Sequence, residues 1–186
     1  MGVHVKVGRP AVFLDRDGTL VAQVDDIINS SQLKILSGVP DGVRLLNRLG
    51  FLVIVITNQP VIGKGLTTRT KVKKINKVLY NWLSKKGAII DAFYVCPHRH
   101  WDRCACRKPK LGLINAAVKK YNIDITNSFF IGDDMRDIET GKRARLKTIL
   151  VKTGNAGRDR RYFDVKPNAI VRNFLFAAKF IARVRK

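Results

Sequence analysis

The chain has 186 residues, of which 46% are hydrophobic and 27% are charged. These values are typical of a globular protein, and the length suits a single core, so we expect one domain over residues 1–186. No apolar run approaches the roughly 18 residues of a membrane-spanning helix, and the N-terminal sequence lacks the apolar block of a signal peptide. We therefore expect a cytoplasmic protein without a membrane partner.

The charge is strongly positive and unevenly distributed. Lysine and arginine number 36 against 14 aspartate and glutamate residues, which gives a formal net charge of +22. Residues 1–62 carry 6 basic and 5 acidic side chains, whereas residues 63–186 carry 30 and 9. Such a field attracts phosphorylated metabolites, nucleic acid or other polyanions. The alternative interpretation is a solvated surface that reflects the general composition of the source organism.

Short apolar runs alternate with helical patterns along the chain, which predicts an α/β architecture with a mainly parallel, doubly wound, Rossmann-like sheet. The predicted strands cover residues 11–14, 51–56, 92–95, 128–131 and 148–151. The predicted helices cover residues 41–49, 113–121 and 136–144, a long helix runs from a cap at position 67 or 68 to Lys86, and Asn173 is expected to cap a last helix. Residues 152–168 are Gly-rich, basic and aperiodic, which indicates a loop.

The long predicted helix has two distinct faces, and either Thr67 or Thr68 is expected to cap its N-terminus. A set of apolar side chains recurs at helical spacing and is expected to pack in the core. Its members are Val72, Ile75, Leu79, Trp82 and Leu83. The other positions are rich in lysine, which indicates a solvated face.

Polar residues follow three of the predicted strands at the point where each strand ends. Asp15 and Asp17 follow the first strand, Thr57 and Asn58 follow the second, and Asp133 and Asp134 follow the fourth. Ligands bind at this edge of such sheets, and carboxylates gathered there repel one another unless a cation lies among them. Because hard oxygen ligands select Mg²⁺, the residue types predict a magnesium site. The alternative is that these aspartates merely form turns.

Four segments resemble, in order and spacing, the motifs of the haloacid dehalogenase (HAD) superfamily of phosphatases. They are FLDRDGTL at residues 13–20, TNQ at 57–59, RKPK at 107–110 and IGDD at 131–134, the last continuing to Asp137. The resemblance covers nearly the whole chain. It implies a HAD-like fold and a phosphomonoesterase that works through an aspartyl-phosphate intermediate.

The resemblance also implies roles for individual residues. Asp15 would be the nucleophile, and Asp17 would protonate the leaving oxygen and then activate water. Thr57 and Lys108 would hold the transferring phosphoryl oxygens. Mg²⁺ would be held by the Asp15 side chain, the Asp17 backbone carbonyl and Asp133. The residues expected to bind the rest of the substrate are Asn58, Gln59 and Arg107.

Three cysteines and a histidine form a second cluster. Cys96 and His98, followed by Cys104 and Cys106, supply three thiolates and one imidazole, which is a closed tetrahedral set for structural Zn²⁺. An odd number of cysteines within eleven residues also argues against a disulfide framework. His100 is a rival ligand, but His98 is favoured by its spacing from Cys96.

The cysteine loop and the RKPK segment resemble the zinc-containing HAD phosphatases that act on D-glycero-D-manno-heptose 1,7-bisphosphate or on histidinol phosphate. That branch lacks a large cap domain, and its loop would place Arg107 at the leaving group or at a second phosphate. Asp134 departs from the lysine that is common in the heptose branch. The five residues between His98 and Cys104 are closer to the histidinol-phosphate branch.

The sequence is compatible with several functions. The leading expectation is hydrolysis of the 7-phosphate of heptose bisphosphate, followed by a histidinol-phosphate phosphatase. The basic charge favours a polynucleotide 3′-phosphatase or a non-catalytic nucleic-acid-binding module as a further alternative, although the basic stretches contain few aromatic residues for base stacking. The residues whose roles stay open are Asp25, Asp26, Asp134 and Asp137.

Overall fold

Six strands form one sheet in the protein, whose computed structural model describes residues 8–185. Their bounds are β1 Arg9–Leu14, β2 Leu52–Asn58, β3 Ala92–Cys96, β4 Ile123–Gly132, β5 Lys147–Val151 and β6 Ala169–Val171. The order is β3-β2-β1-β4-β5-β6, and every neighbouring pair is parallel. The predicted doubly wound, Rossmann-like sheet is confirmed. Residues 1–7, where no signal peptide is expected, lie outside the described residues.

The central strands β1 and β2 are apolar on both faces, as expected for strands that are covered on both sides. Val12 of β1 lies opposite Val53 of β2 and Phe129 of β4, so β1 is flanked by a partner on each side. At its carboxyl end Leu14 is paired with Ile131. Because β1 and β4 are parallel and end at the same level, the residues that follow them emerge side by side.

In the described part of the chain, six α-helices connect or follow the strands. They are α1 Val39–Arg48, α2 Pro60–Gly63, α3 Arg69–Ser84, α4 Gly112–Tyr121, α5 Met135–Arg143 and α6 Phe174–Val184. Helices α1, α3 and α6 cover one face of the sheet, where Leu46, Leu79 and Ile181 join the main hydrophobic core. Helices α4 and α5 cover the opposite face through Ile114 and Ile138. Within residues 8–185 the strands form this one sheet.

Two strands differ from the prediction. β4 begins at Ile123 rather than at Ser128, and its first part pairs with Arg9 before a register irregularity. Because this first part of β4 contains polar residues, a search for apolar runs does not identify it as a strand. β6 has no predicted counterpart, because its three residues are partly exposed at the sheet edge. The predicted loop over residues 152–168 contains a short 3₁₀ helix at Arg158–Tyr162.

Helix α3 begins after Thr68, whose hydroxyl accepts a 3.2 Å hydrogen bond from the backbone N–H of Lys71. The lysines of its outer face are exposed, as predicted. The prediction for Trp82 is wrong, since its side chain is 40% exposed. The position lies at the margin of the apolar stripe, and the Nζ of Lys86 is 4.8 Å from the ring centroid. Between residues 8 and 185, no helix has the length and apolar character needed to cross a membrane.

Candidate active site

Asp15 follows β1 directly, at the carboxyl edge of the sheet. Its backbone N–H donates to the carbonyl of Ile131 (3.0 Å), which extends the strand pairing by one residue. Its oxygen Oδ1 accepts a hydrogen bond from the N–H of Arg16 (2.7 Å) and lies 2.9 Å from the ammonium of Lys108. The other oxygen, Oδ2, has no donor among the described residues. The side chain therefore has one oxygen held in place and one available for attack.

Asp17 lies two residues further on. Arg16 holds both of its carboxylate oxygens, and the side-chain amide of Gln59 donates to Oδ2 (2.7 Å). The same amide donates to the hydroxyl of Thr57 (3.0 Å). Asp17 and Thr57 both line a cavity at this edge of the sheet. A carboxylate and a hydroxyl from adjacent strand ends therefore border the same space.

Lys108 brings a buried cation to this group. It is 4% exposed, and its Nζ lies 2.9 Å from Asp15 and 2.6 Å from Asp137. Burial lowers the pKa of this ammonium, but the carboxylates of Asp137 and Asp15 outweigh that effect and raise the pKa above its ordinary value. The backbone N–H of Lys108 donates to the side chain of Asn58 (3.0 Å). A positive charge is thus fixed beside Asp15, on a loop that is tied to the end of β2.

Three carboxylates converge at this edge of the sheet. Oxygens of Asp15, Asp133 and Asp137 lie within 4.8 Å of one another. Burial and the charges of Asp15 and Asp137 raise the pKa of Asp133 to about 9. Burial also raises the pKa of Asp137, against the opposing effect of Lys108. One lysine does not neutralise the cluster, so the excess negative charge and the oxygen donors fit a divalent cation such as Mg²⁺.

Two glycines allow Asp133 to approach the backbone closely. A Cβ atom at Gly18 or at Gly154 would overlap the Asp133 carboxylate, and both glycines have positive φ angles, of 77° and 58°. The backbone N–H of Asn155 donates to Asp133 (2.7 Å), and its side-chain amide donates to Asp134 (2.8 Å). The loop after β5 therefore orients both acidic residues of the IGDD segment.

The side chains predicted to be catalytic border a cavity of about 230 Å³. Its wall also includes the basic side chains of Arg107 and Arg136 and the acidic side chains of Asp25 and Asp26. Asp26 is paired with Lys64 at 3.2 Å. A larger apolar cleft lies between α3 and β3, and none of the predicted site residues belongs to its described lining.

The cysteines and His98 form a compact cluster in the loop after β3. The Sγ of Cys96 lies 3.2 Å from that of Cys106 and 3.9 Å from that of Cys104, and His98 Nδ1 lies 3.2 Å from Cys106 Sγ. Zinc bonds of about 2.0–2.3 Å at tetrahedral angles place ligand atoms roughly 3.5–3.8 Å apart, close to these spacings. Burial and the neighbouring thiols raise the pKa of Cys96 to about 12, so a thiolate there needs a cation. His100 is exposed and lies outside the cluster.

The cysteine loop is joined to the cavity by hydrogen bonds. The guanidinium of Arg107 donates to the carbonyl of His98 (3.2 Å), and the N–H of Gln59 donates to the carbonyl of Cys96 (2.7 Å). An ordered loop therefore holds Arg107 at the cavity wall. The guanidinium groups of Arg107 and Arg136 border the same cavity, and burial and the positive charge of Arg136 lower the pKa of Arg107.

Comparison with known proteins agrees with this geometry. A family model described as HAD-hydrolase-like matches residues 105–177. A D-glycero-β-D-manno-heptose-1,7-bisphosphate 7-phosphatase of Pasteurella multocida is 35% identical over 153 residues, which cover 78% of this chain and 83% of the relative. A probable D-glycero-D-manno-heptose-1,7-bisphosphate 7-phosphatase of Thermoplasma volcanium is 37% identical over 145 residues, 76% of this chain and 97% of the relative. The chain belongs to the haloacid dehalogenase-like phosphatases.

The HAD-like phosphatase also resembles solved structures. The D,D-heptose 1,7-bisphosphate phosphatase of B. bronchiseptica, in complex with magnesium and phosphate, superposes with a TM-score of 0.86 and 25% sequence identity. The superposition covers 94% of this chain and 99% of that chain. The predicted membership of the HAD superfamily and the predicted phosphatase activity are confirmed.

Three residues of this phosphatase's site have no role in the sequence-based prediction. Asp137 lies in the first turn of α5, where an acidic residue is explained equally well by capping. Asn155 follows the end of β5, and its strand-end position is the signal that could have identified it. Arg16 separates Asp15 from Asp17, and no sequence pattern indicates that it is buried.

Proposed function

We propose that this phosphatase hydrolyses the 7-phosphate of D-glycero-D-manno-heptose 1,7-bisphosphate through an aspartyl-phosphate on Asp15. The observation that carries the proposal is the position of the Asp15 carboxylate at the cavity wall, 2.9 Å from the Lys108 ammonium and within 4.8 Å of oxygens of the buried acids Asp133 and Asp137. A nucleophile with a neighbouring ammonium and a cation-binding cluster is suited to attack on a phosphate ester. The relatives named for this substrate support the same choice here. A cytoplasmic location is part of the proposal.

In the first step, Asp15 Oδ2 attacks phosphorus, and the bond between phosphorus and the sugar oxygen breaks. Lys108 offsets the negative charge that the two anions bring together, and Thr57 offers its hydroxyl to a phosphoryl oxygen. Asp17 donates a proton to the departing sugar oxygen. The step leaves a sugar hydroxyl and an acyl phosphate on Asp15.

In the second step, water attacks the phosphorus of the acyl phosphate. Asp17, now ionised, accepts a proton from that water, and the bond from phosphorus to Asp15 breaks. Inorganic phosphate and the free Asp15 carboxylate result. Two carboxylates are needed because one cannot act as nucleophile and as acid at the same time. Mg²⁺ bound by the Asp15 side chain, the Asp17 carbonyl and Asp133 would supply positive charge that reduces repulsion between nucleophile and phosphate.

A structural zinc ion is the second cofactor of the proposal. Cys96, His98, Cys104 and Cys106 would complete its tetrahedral coordination and leave no position open for catalysis. The ion would offset the charge of three thiolates and order the loop whose His98 carbonyl receives the hydrogen bond from Arg107.

The basic side of the cavity supports a bisphosphate substrate. The Arg107 guanidinium donates to a neutral carbonyl, and the Arg136 guanidinium has no carboxylate partner within residues 8–185. Two cations without an acidic partner suit the second phosphate of a sugar bisphosphate. Asp134 stands where the heptose branch commonly has lysine, and Arg136 brings a cation to the same cavity. Histidinol phosphate carries a cationic amine, which two guanidinium groups would repel.

A substrate screen with Mg²⁺ tests the proposal. We expect the highest kcat/KM for the heptose bisphosphate, a lower value for histidinol phosphate, and little turnover of a 3′-phosphorylated oligonucleotide. Each assay is run at about 50 mM and 200 mM salt, because binding through a nucleic-acid backbone weakens by orders of magnitude over that range. Asp15→Asn is the control and should show no turnover. Hydrolysis of either other substrate in preference to heptose bisphosphate would contradict the proposal.

A further inference from the structure

Arg16 has the largest completely buried side chain in the described part of the protein. It lies between Asp15 and Asp17 in sequence, yet it does not belong to the wall of the cavity. Its Nε donates to Asp17 Oδ1 and its Nη2 donates to Asp17 Oδ2, both at 2.9 Å. Two parallel hydrogen bonds of this kind fix the position and also the plane of a carboxylate.

The other side of the guanidinium is anchored to α3. Its Nη1 donates to the side-chain oxygen of Asn76 at 3.0 Å, and Asn76 is 5% exposed. The neighbouring side chains Ile75 and Leu79 of α3 belong to the main hydrophobic core. A continuous series of contacts therefore runs from the core, through Asn76 and Arg16, to the carboxylate of Asp17.

Structural stability alone does not explain an arginine at this position. A buried ion pair is often no more stable than apolar side chains of similar volume, because both charges lose their hydration. The contacts of Asp17 give a functional reason. Its Oδ2 accepts from both Arg16 and Gln59, whereas Oδ1 accepts from Arg16 alone among the described residues. Oδ1 thus keeps a lone pair for a proton that is transferred in the cavity.

We propose that Arg16, anchored by Asn76, is a positioning residue that orients the Asp17 carboxylate for proton transfer to the leaving oxygen. The inference rests on the acid–base role proposed above for Asp17. A misplacement of about 1 Å can slow an enzymatic step about 10²-fold. Loss of the two parallel hydrogen bonds should therefore slow the step that needs the proton, although Asp17 itself is still present.

The basicity of the leaving group separates this role from general damage to the fold. p-Nitrophenolate departs without a proton, whereas the more basic phenolate of phenyl phosphate benefits from a general acid. The two substrates are similar in size and do not depend on the identity of the natural substrate. The quantity compared is kcat/KM, because it covers the steps up to formation of the acyl phosphate. General structural damage lowers kcat/KM for both substrates by the same factor. Misorientation of Asp17 lowers kcat/KM for phenyl phosphate more than kcat/KM for p-nitrophenyl phosphate.

Arg16→Lys keeps a positive charge and removes the two parallel hydrogen bonds. We expect kcat/KM for phenyl phosphate to fall on the order of tenfold more than kcat/KM for p-nitrophenyl phosphate. Asp17→Asn, which removes the acid, provides the reference for complete selective loss. Asn76→Leu removes the anchor and leaves Arg16 and Asp17 in place, so it should show a smaller loss of the same kind. Asn76→Asp retains an oxygen acceptor for Arg16. The ratio of its kcat/KM for phenyl phosphate to its kcat/KM for p-nitrophenyl phosphate should therefore stay close to that of the wild type.

The outcomes distinguish this inference from the proposed function. An equal fall for both substrates, or no fall, in folded Arg16→Lys overturns the positioning role and leaves the proposed function intact when Asp17→Asn still discriminates. If Asp17→Asn does not discriminate between the substrates, the acid role of Asp17 fails and the inference fails with it. If Arg16→Lys shows no cooperative unfolding transition, it is not folded and cannot be used. The same comparison of kcat/KM for the two substrates is then made with Asn76→Leu, and an equal fall or no fall overturns the positioning role.

Discussion

Replacing Lys108 by methionine would leave Asp15 and Asp137 without the ammonium that lies 2.9 Å and 2.6 Å from them. Methionine retains most of the side-chain volume, so the change removes a charge and little packing. Asp137 is 1% exposed, and water cannot replace its lost partner. Removing one partner of a buried ion pair costs about 3–5 kcal/mol, and 1 kcal/mol shifts Tm by roughly 2–4 °C in a domain of this size. We expect Tm to fall by roughly 6–20 °C.

The loss of stability in Lys108→Met should grow with pH. Burial raises the pKa of Asp137, and Lys108 is the main group that opposes this effect, so the variant should have a still higher pKa at Asp137. A carboxyl whose pKa is higher in the folded state binds more protons there than in the unfolded state. The free energy of unfolding therefore falls as pH rises from the unfolded pKa, about 4, towards the folded pKa. The deficit in Tm should be larger at pH 8 than at pH 6.

Thermal unfolding followed by circular dichroism, in buffer without added Mg²⁺ at both pH values, measures the effect. Lys108→Met combined with Asp137→Asn is the matched control. It removes the unpaired carboxylate and should recover most of the lost Tm at pH 8. A Tm of the single variant within roughly 2 °C of the wild type at pH 8 would refute the reasoning, as would a double variant that is no more stable than the single one.

Three further predictions concern the acidic cluster, the cysteine loop and the cavity wall. The pKa of Asp133, about 9, makes Mg²⁺-free protein less stable as pH rises, so Asp133→Asn should raise its Tm at pH 8 and abolish turnover; an unchanged or lower Tm in buffer without Mg²⁺ would count against this. Metal analysis should find about one zinc per chain and less in Cys104→Ser, which should also lose activity as the loop around Arg107 loosens; a zinc-free, fully active wild type would disprove the site. Arg136→Glu should raise KM for the bisphosphate and change KM for p-nitrophenyl phosphate by less than about twofold; equal changes in both would remove the proposed contact.

The sheet edge could be predicted from the sequence because apolar runs locate the central strands and polar residues mark their ends. β1 and β2 are buried on both faces, which gives uninterrupted apolar runs. The strand ends then place Asp15, Thr57 and Asp133 at one edge before any side-chain contact is known. The cysteine cluster could be predicted for a similar reason, since the residues from Cys96 to Cys106 are close in sequence and the ligand types are distinctive.

The contacts that orient these groups could not be predicted. Arginine is almost never fully buried unless it is paired, so a single sequence favours an exposed Arg16, and its anchor Asn76 is 60 residues away. Asn155 contacts Asp133 because the loop after β5 passes over the acidic cluster, a closeness that depends on Gly18 and Gly154. Such contacts between distant segments follow from the packing of helices and loops on the sheet and leave no periodic signal.

Covalent trapping tests the central claim, that Asp15 is the nucleophile, most directly. The enzyme is mixed with p-nitrophenyl phosphate and Mg²⁺, quenched during turnover and treated with borohydride, which reduces an acyl phosphate of aspartate to homoserine. Peptide mass spectrometry then locates the reduced residue. We predict reduction at position 15 in the wild type and none in Asp15→Asn. Reduction at another carboxylate, or turnover by Asp15→Asn at a rate near that of the wild type, would contradict the account.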